Sequence, residues 1–573
     1  MRTKWYLLGC GTSILLLFLV FVFGIRSLMK TSQQATVKVQ NNSALVIDID
    51  KLVPEYSDLT DSHFNLIPIS AHDIIEKINS AATDPKIKCI ILKPNNYSIG
   101  YASLHEIMLA LAEFKTTGKK VYAYLNFVGQ KDYILSTVAD EIYLNPSATA
   151  GVYLTGVGSS ITFYKDMLSK LGIEVNIVRA GKYKAAGESF SRNNMSAEFK
   201  NNLMGLYEDI YVQLCADLAK NRNIEDETVR NIFENRANLF IAQDEALNFK
   251  MVDGLIQEDQ MLKNIGIDKD HMVSISKYQA TPIKQKNQKI AVIYAMGEIN
   301  SVKANIGTMN INSKNMKEVV SKVKEDNSIK AVVLRVNSPG GSALESDIIN
   351  YYIEELKKVK PVIVSMGDVA ASGGYYISAN ANYIYADPYT ITGSIGVISM
   401  LPDVNKLGKK IGLSSESAGY GKFINVLEPW KPTNPNMLSS FQDMTDRTYL
   451  EFKTVVSRGR GIDVDTVDDI AQGQVWSAPD AKAHKLIDEV GTLNDAILKA
   501  AELVNLTDYS VASYPQKKDL INAVLQEKFD LQVALKVLSG KYTIEDIPNH
   551  IENTLNSIIE SPVQMKLPFS LDN

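Results

Sequence analysis

From about residue 40 onwards, short apolar runs alternate along the chain with segments whose apolar residues recur at helical spacing. In the second half, Ile290 to Tyr294, Ala331 to Val336 and Pro361 to Ser365 are runs of the first kind; Met316 to Val323 and Asp347 to Lys358 are of the second. The first half offers Leu45 to Ile49, Ile87 to Leu92 and Lys120 to Leu125 as strands. Short β-branched runs between helices predict parallel βαβ units whose strands are covered on both faces. Two segments break the alternation. Lys277 to Lys289 is polar and reads as a linker. Beyond about Lys517, residues such as Leu520, Val524, Phe529 and Leu535 predict amphipathic helices in the tail.

The longest apolar run stands at the start. Trp5 to Ile25 is 21 residues without a charge. As a helix it spans roughly 31 Å, about one hydrocarbon core. A cleaved signal peptide needs only about 7–15 apolar residues followed by a small-x-small site, and Phe23-Gly24-Ile25-Arg26 is a poor one. The run predicts an uncleaved, single-pass membrane anchor. Arg2 and Lys4 before it are balanced by Arg26 and Lys30 after it, so charge alone leaves the orientation open.

The alternation itself repeats. Ile87-Lys-Cys-Ile-Ile-Leu92 resembles Ile329-Lys-Ala-Val-Val-Leu334, an offset of 242 residues from 87 to 329. At the same offset Tyr133, Ser136, Ala139, Ile142, Tyr143, Pro146 and Gly151 meet identical residues between Tyr375 and Gly393. Agreement at one offset over two separate segments predicts a duplicated domain; a solenoid needs at least about three copies. The chain thus divides into an anchor and stalk (1–40), a first repeat (41–276), a linker (277–289), a second repeat (290–515) and a tail (516–573).

Composition acts mainly by exclusion. With 45% hydrophobic and 22% charged residues and a net charge of −5, the chain is neither disordered nor basic enough for nucleic-acid binding. Three scattered cysteines (Cys10, Cys89 and Cys215) and six histidines without HExxH spacing predict no disulfide framework, no metal and no cofactor.

Candidate chemistry lies in glycine-bearing turns of the second half. Asn337-Ser-Pro-Gly-Gly341 and Ala370-Ala-Ser-Gly-Gly374 each follow a predicted strand, and Thr392-Gly-Ser-Ile-Gly396 forms a third turn. Paired glycines let a backbone turn sharply and present N–H groups. Ser372, between small residues, is either an open nucleophile or a helix N-cap. The repeat comparison favours function. Ser372-Gly-Gly374 faces Gln130-Lys-Asp132, and Ser394 faces Val152, so these devices are dispensable to the framework. No histidine neighbours the turns, which leaves lysine as the base. A neutral lysine near pH 7 needs its pKa moved from about 10.4 to about 7, a cost of roughly 4.6 kcal/mol, and therefore burial. Lys184 and Lys422 hold roughly equivalent places in the two repeats, and spacing does not choose between them.

Four motifs together resemble the signal peptide peptidase A (protease IV) family in its long, duplicated form. They are Arg335-Val-Asn-Ser-Pro-Gly-Gly341, Ala370-Ala-Ser-Gly-Gly374, Ile391-Thr-Gly-Ser-Ile-Gly396, and Tyr183-Lys-Ala-Ala-Gly-Glu-Ser-Phe-Ser-Arg192 leading into Asn194-Met-Ser196. The resemblance covers the anchor and about residues 40 to 515. It implies an α/β fold of two tandem Clp-protease/crotonase-like βαβ domains after one transmembrane helix. It implies Ser372 as nucleophile, Lys184 as general base and Ser394 as the hydroxyl that orients the amine. Gly373 with Gly340 and Gly341 would form the oxyanion hole. It further implies a homotetramer on a bacterial inner membrane, with its catalytic domains on the periplasmic or outer face. Its substrates would be cleaved signal peptides or other membrane-associated peptides. The family commonly has Pro where Ser189 stands. Lys422 follows Ser372 by fifty residues, the spacing of the short, unduplicated members, and is the alternative base. The competing readings are a crotonase-like acyl-CoA enzyme and an inactive scaffold.

Overall fold

The apolar runs become buried strands, and the helices between them start where a side chain can cap them. A computed structural model describes residues 39–49, 52–60, 67–281, 286–302, 309–424, 426–428, 430–519 and 563–566. The run Trp5 to Ile25 and most of the tail lie outside these residues. Among the described residues no helix is long and apolar enough to cross a membrane.

In the first half six parallel strands form one sheet. Their spatial order is Gly254–Leu255, Glu141–Leu144, Lys120–Leu125, Ile87–Leu92, Ser43–Ile47 and Met272–Ser274. The second half builds its sheet in the same sequence of partners: Glu489–Val490, Tyr383–Ala386, Val362–Ala371, Ile329–Ser338, Lys289–Met296 and Ser510–Tyr514. Ile391–Gly393 pairs with the far end of Val362–Ala371, and Val475–Ser477 lies antiparallel to it. Strands covered on both faces read as unbroken apolar runs; in Ile87–Leu92 only Lys88 is exposed. The caps repeat as well. Ser70 Oγ accepts the N–H of Asp73 at the start of the helix Ala71–Thr83. Asn312 Oδ1 accepts that of Asn315 at the start of Ser313–Glu325. Each orphan N–H satisfied this way stabilises its helix by about 1 kcal/mol.

The halves join through a third sheet. The strand Glu174–Ala180 of the first half runs antiparallel to Val397–Asp403 of the second over seven residue pairs, from Ala180 opposite Val397 to Glu174 opposite Asp403. Two features differ from the reading of the sequence. The strand predicted to end at Ser365 continues to Ala371, through an irregularity described below. The helices expected around Leu520 to Leu535 lie outside the described residues, and near the end of the tail an unforeseen strand appears, Val563–Lys566. It lies antiparallel between Gly340–Ser342 and Ile398–Ser399. Pro562 and Pro568 flank it in the sequence; a proline disfavours helical backbone in the residue before it and cannot donate to a helix, so an extended segment is the natural outcome.

Candidate active site

The strand Val362–Ala371 ends in a sharp turn, and the helical turn Gly373–Tyr376 starts one residue later. Ser372 occupies the corner at φ 56°, ψ −117°, a backbone conformation that L-residues seldom adopt. The turn is held from both sides: Ser372 N donates to Gly393 O at 2.8 Å, and Tyr376 N donates to Ser372 O at 2.8 Å. Although Ser372 stands at the N-cap position, its hydroxyl makes no capping bond. The capping explanation for this serine therefore fails, and its Oγ is directed elsewhere.

It meets Lys184. Lys184 Nζ lies 2.7 Å from Ser372 Oγ, 2.9 Å from Ser394 O and 3.0 Å from Ser394 Oγ. Both Lys184 and Ser372 are wholly buried. Burial holds the Lys184 pKa well below the ordinary lysine value, because the ammonium loses its hydration. A neutral amine has two N–H groups and one lone pair. Ser394 O and Oγ can accept the two N–H bonds, which leaves the lone pair facing the Ser372 hydroxyl. Three contacts match three valences, and the arrangement can accept a proton from Ser372.

The lysine is carried into place by the strand pairing of the two halves. Glu174–Ala180 delivers the loop that follows it, in which Lys184 N donates to Gly181 O. Buried Glu188 accepts Ser196 N at 2.9 Å and faces Arg179 at 3.4 Å, which closes the far side of the loop. Ser189 O accepts Tyr164 N at 2.6 Å. Ser394 has φ 53° and is fixed by its own N–H to Gln474 O at 2.6 Å.

The glycines lie around the serine. A Cβ on Gly373 would stand 2.6 Å from Ser346 Oγ and 3.3 Å from the Cα of Gly340, so the two glycine turns abut. Gly340 N faces Ser338 Oγ at 3.2 Å. Lys422 is elsewhere, on an exposed surface loop, with its Nζ 5.2 Å from the centre of the Phe423 ring. At the matching corner of the first half, Gln130 plugs the turn: its amide bonds to the Tyr101 hydroxyl, Gly156 O and the N–H groups of Thr155 and Gly156.

One element of the site escaped the sequence reading. Residues 472–474 bind both partners of the serine: Gln472 O accepts Tyr183 N at 2.8 Å, Gly473 N donates to Ile395 O at 2.8 Å, and Gln474 O holds Ser394. A Cβ on Gly473 would lie 2.6 to 2.7 Å from the N, Cα and Cβ of Lys184. A lone glycine between glutamines was the only signal for this loop.

The profile of peptidase family S49 matches residues 113–271 and 354–507. The chain is 33% identical to Protease 4 of Haemophilus influenzae, over 89% of this chain and 88% of that one. It is 32% identical to the chloroplastic serine protease SPPA of Arabidopsis thaliana, over 85% and 72%. It is also 32% identical to a candidate signal peptide peptidase, SppA, of Enterococcus faecium, over 40% and 67%. Among solved structures, a mutant of ClpP1 from Listeria monocytogenes covers 36% of this chain, and 94% of its own length is matched, at 14% identity with a TM-score of 0.24, too low to argue a shared fold.

Proposed function

Because the chain belongs to peptidase family S49 and is a serine peptidase, we propose that Ser372 is its nucleophile and Lys184, supplied by the other half of the chain, its general base. One observation carries this reading: a fully buried amine, with no carboxylate hydrogen-bonded to it among the described residues, stands 2.7 Å from the hydroxyl. Lys184 Nζ takes the Ser372 proton as Oγ attacks a peptide carbonyl. The resulting ammonium keeps Ser394 O and Oγ as acceptors, then gives its proton to the leaving amine. Water hydrolyses the acyl-enzyme by the same transfers in reverse. The N–H groups of Gly373 and Gly341 hold the developing oxyanion, each such donor contributing about 2.7–4 kcal/mol to the barrier reduction, while that of Gly340 donates to Ser338 Oγ and shapes the turn. No metal or cofactor enters these steps.

The substrate is an extended peptide seated between Gly340–Ser342 and Val397–Asp403, where the chain's own Val563–Lys566 lies. Pairing with strand edges gives affinity through the main chain. We extend the proposal to remnant signal peptides and other membrane-associated peptides as substrates, in line with the candidate signal peptide peptidase among the relatives. Trp5 to Ile25 supplies the anchor in a bacterial inner membrane, with the repeats on its outer face and the chain assembled as a homotetramer. The Clp-protease/crotonase-like character of each repeat belongs to this reading; two sheets built in one strand order support it.

The test is hydrolysis of a fluorogenic peptide together with labelling by a fluorophosphonate. Ser372→Ala is expected to lose both. Activity retained in that variant would sink the assignment.

A further inference from the structure

In the motif Arg335-Val-Asn-Ser-Pro-Gly-Gly341, the polar residues Arg335 and Asn337 are among those that the chemistry above does not use. Both lie on the strand Ile329–Ser338, which leads into the Gly340–Gly341 turn. Its neighbour, Val362–Ala371, leads into Ser372. The two strands pair in plain register up to Val336 opposite Met366; the next pair is Ser338 opposite Ala370. Two residues on one strand are thus matched by four on the other, and Gly367, Asp368 and Val369 form a bulge. Beyond it, Gly340 and Ser372 each stand two residues past the pair Ser338–Ala370. Without the bulge Ser338 would face Asp368, and the nucleophile would be displaced along its strand by two residues, about 6.6 Å at roughly 3.3 Å per residue.

Asn337 occupies the gap. Its Oδ1 accepts Val369 N at 3.1 Å, and its Nδ2 donates to Asp368 Oδ2 at 2.9 Å and to Glu55 Oε2 at 2.6 Å. The remaining bonds reach into the first half. Asp368 accepts Ala102 N at 2.8 Å, Ser103 N at 3.2 Å and the Ser103 hydroxyl at 2.9 Å. It thereby caps the helix Tyr101–Thr116, whose own N-cap, Gly100, offers no side chain. A Cβ on Gly100 would fall 2.0 Å from Asp368 Cγ. Glu55 is held in turn by the wholly buried Arg335, which also meets Glu106 at 3.0 Å and the Ser365 hydroxyl at 2.7 Å. Arg335 Nη2 is buried without a hydrogen-bond partner among the described residues, so the guanidinium is held through Nε and Nη1, and those contacts to Glu55, Glu106 and Ser365 anchor the far side of the bulge.

We propose that Asn337 and Asp368 are positioning residues for peptide hydrolysis. They lock the bulge that sets the oxyanion turn against Ser372, and the first half takes part by clamping them through Glu55. The proposal rests on the reading of Ser372 as nucleophile. The oxyanion contact forms in the transition state, so its misalignment acts on kcat and leaves ground-state binding intact.

The experiment compares the full chain with Asn337→Ala, Glu55→Gln and the double variant in steady-state peptide hydrolysis, with Ser372→Ala as the inert control. Glu55→Gln keeps an acceptor for Arg335 but turns an amide towards Asn337, and it serves if Asn337→Ala does not fold. Asn337→Ala is expected to lower kcat at least tenfold with KM within twofold. Glu55→Gln should lower kcat by a smaller factor, and the double variant should be no slower than Asn337→Ala alone, since Glu55 acts through Asn337. Unchanged kcat in the folded single variants, a kcat loss matched by KM, or additive losses would overturn the proposal. An active Ser372→Ala would instead overturn the reading beneath it.

Discussion

Gly473→Ala adds one methyl group to a residue that touches no substrate and is expected to disable the enzyme. The added Cβ would stand 2.6 to 2.7 Å from three atoms of Lys184, whereas ordinary contact begins near 3.4 Å. The lysine backbone or residue 473 must therefore move by 0.7 to 0.8 Å. Lys184 Nζ has a 2.7 Å contact to lose. A misplacement of about 1 Å can cost roughly a hundredfold in rate, or about 2.7 kcal/mol of barrier. Residue 473 also has φ +80°, a left-handed conformation in which a Cβ costs about 1–2 kcal/mol. Strain and displacement separate through a control. Gly461 has φ +64° with nothing within 4 Å of an added Cβ. Gly461→Ala should lower thermal stability by a similar amount with kcat unchanged. Gly473→Ala should lower kcat tenfold to a hundredfold, keep KM within twofold and slow fluorophosphonate labelling of Ser372 in proportion. A folded Gly473→Ala enzyme with kcat within twofold of the parent would refute the claim that this glycine sets the lysine.

Lys184→Met should abolish hydrolysis and raise stability, because burying the amine costs free energy. The sign follows from linkage: the folded pKa is lowered, so the unfolded chain binds the extra proton. The penalty is full below the lowered pKa and fades as pH rises towards the ordinary lysine value of about 10.4. The Met variant's advantage in denaturant titrations should shrink over that range; a gain that grows with pH would contradict it. Lys422→Met should leave kcat/KM within twofold, and a loss comparable to that of Lys184→Met would reinstate Lys422 as a base. Deleting residues 561–573 removes the strand between Gly340–Ser342 and Ile398–Ser399. It should lower KM for an added peptide at unchanged kcat, and an unaltered KM would mean that the strand does not compete with substrate.

The duplication and the glycine turns were legible because they depend on local sequence: apolar runs, a strand-to-helix corner, a serine among small residues. The pair Lys184 and Ser372 was not legible from spacing, since 188 residues separate them and the register between Glu174–Ala180 and Val397–Asp403 brings them together. Resemblance chose Lys184 where composition and periodicity could not. Gly473 went unread because its role lies in what it lacks, a Cβ facing another segment. Glu55 went unread because one carboxylate in a loop looks like any solvated one until Arg335 is seen opposite. The helical periodicity around Leu520 to Leu535 lies outside the described residues, and the strand Val563–Lys566 between Pro562 and Pro568 was not read from the sequence.

Dividing the proposed nucleophile and base between distant stretches of one chain has a consequence for its birth. When the amine-bearing segment has been made, the hydroxyl is still 188 residues away, and the loop at 472–474 that seats them both comes later still. A chain stalled before residue 372 lacks the proposed pair, and one stalled before residue 472 lacks the loop that seats it. On the proposed assignment the protease carries its safety catch in the order of its own synthesis: it becomes able to cut only once both halves exist and have paired.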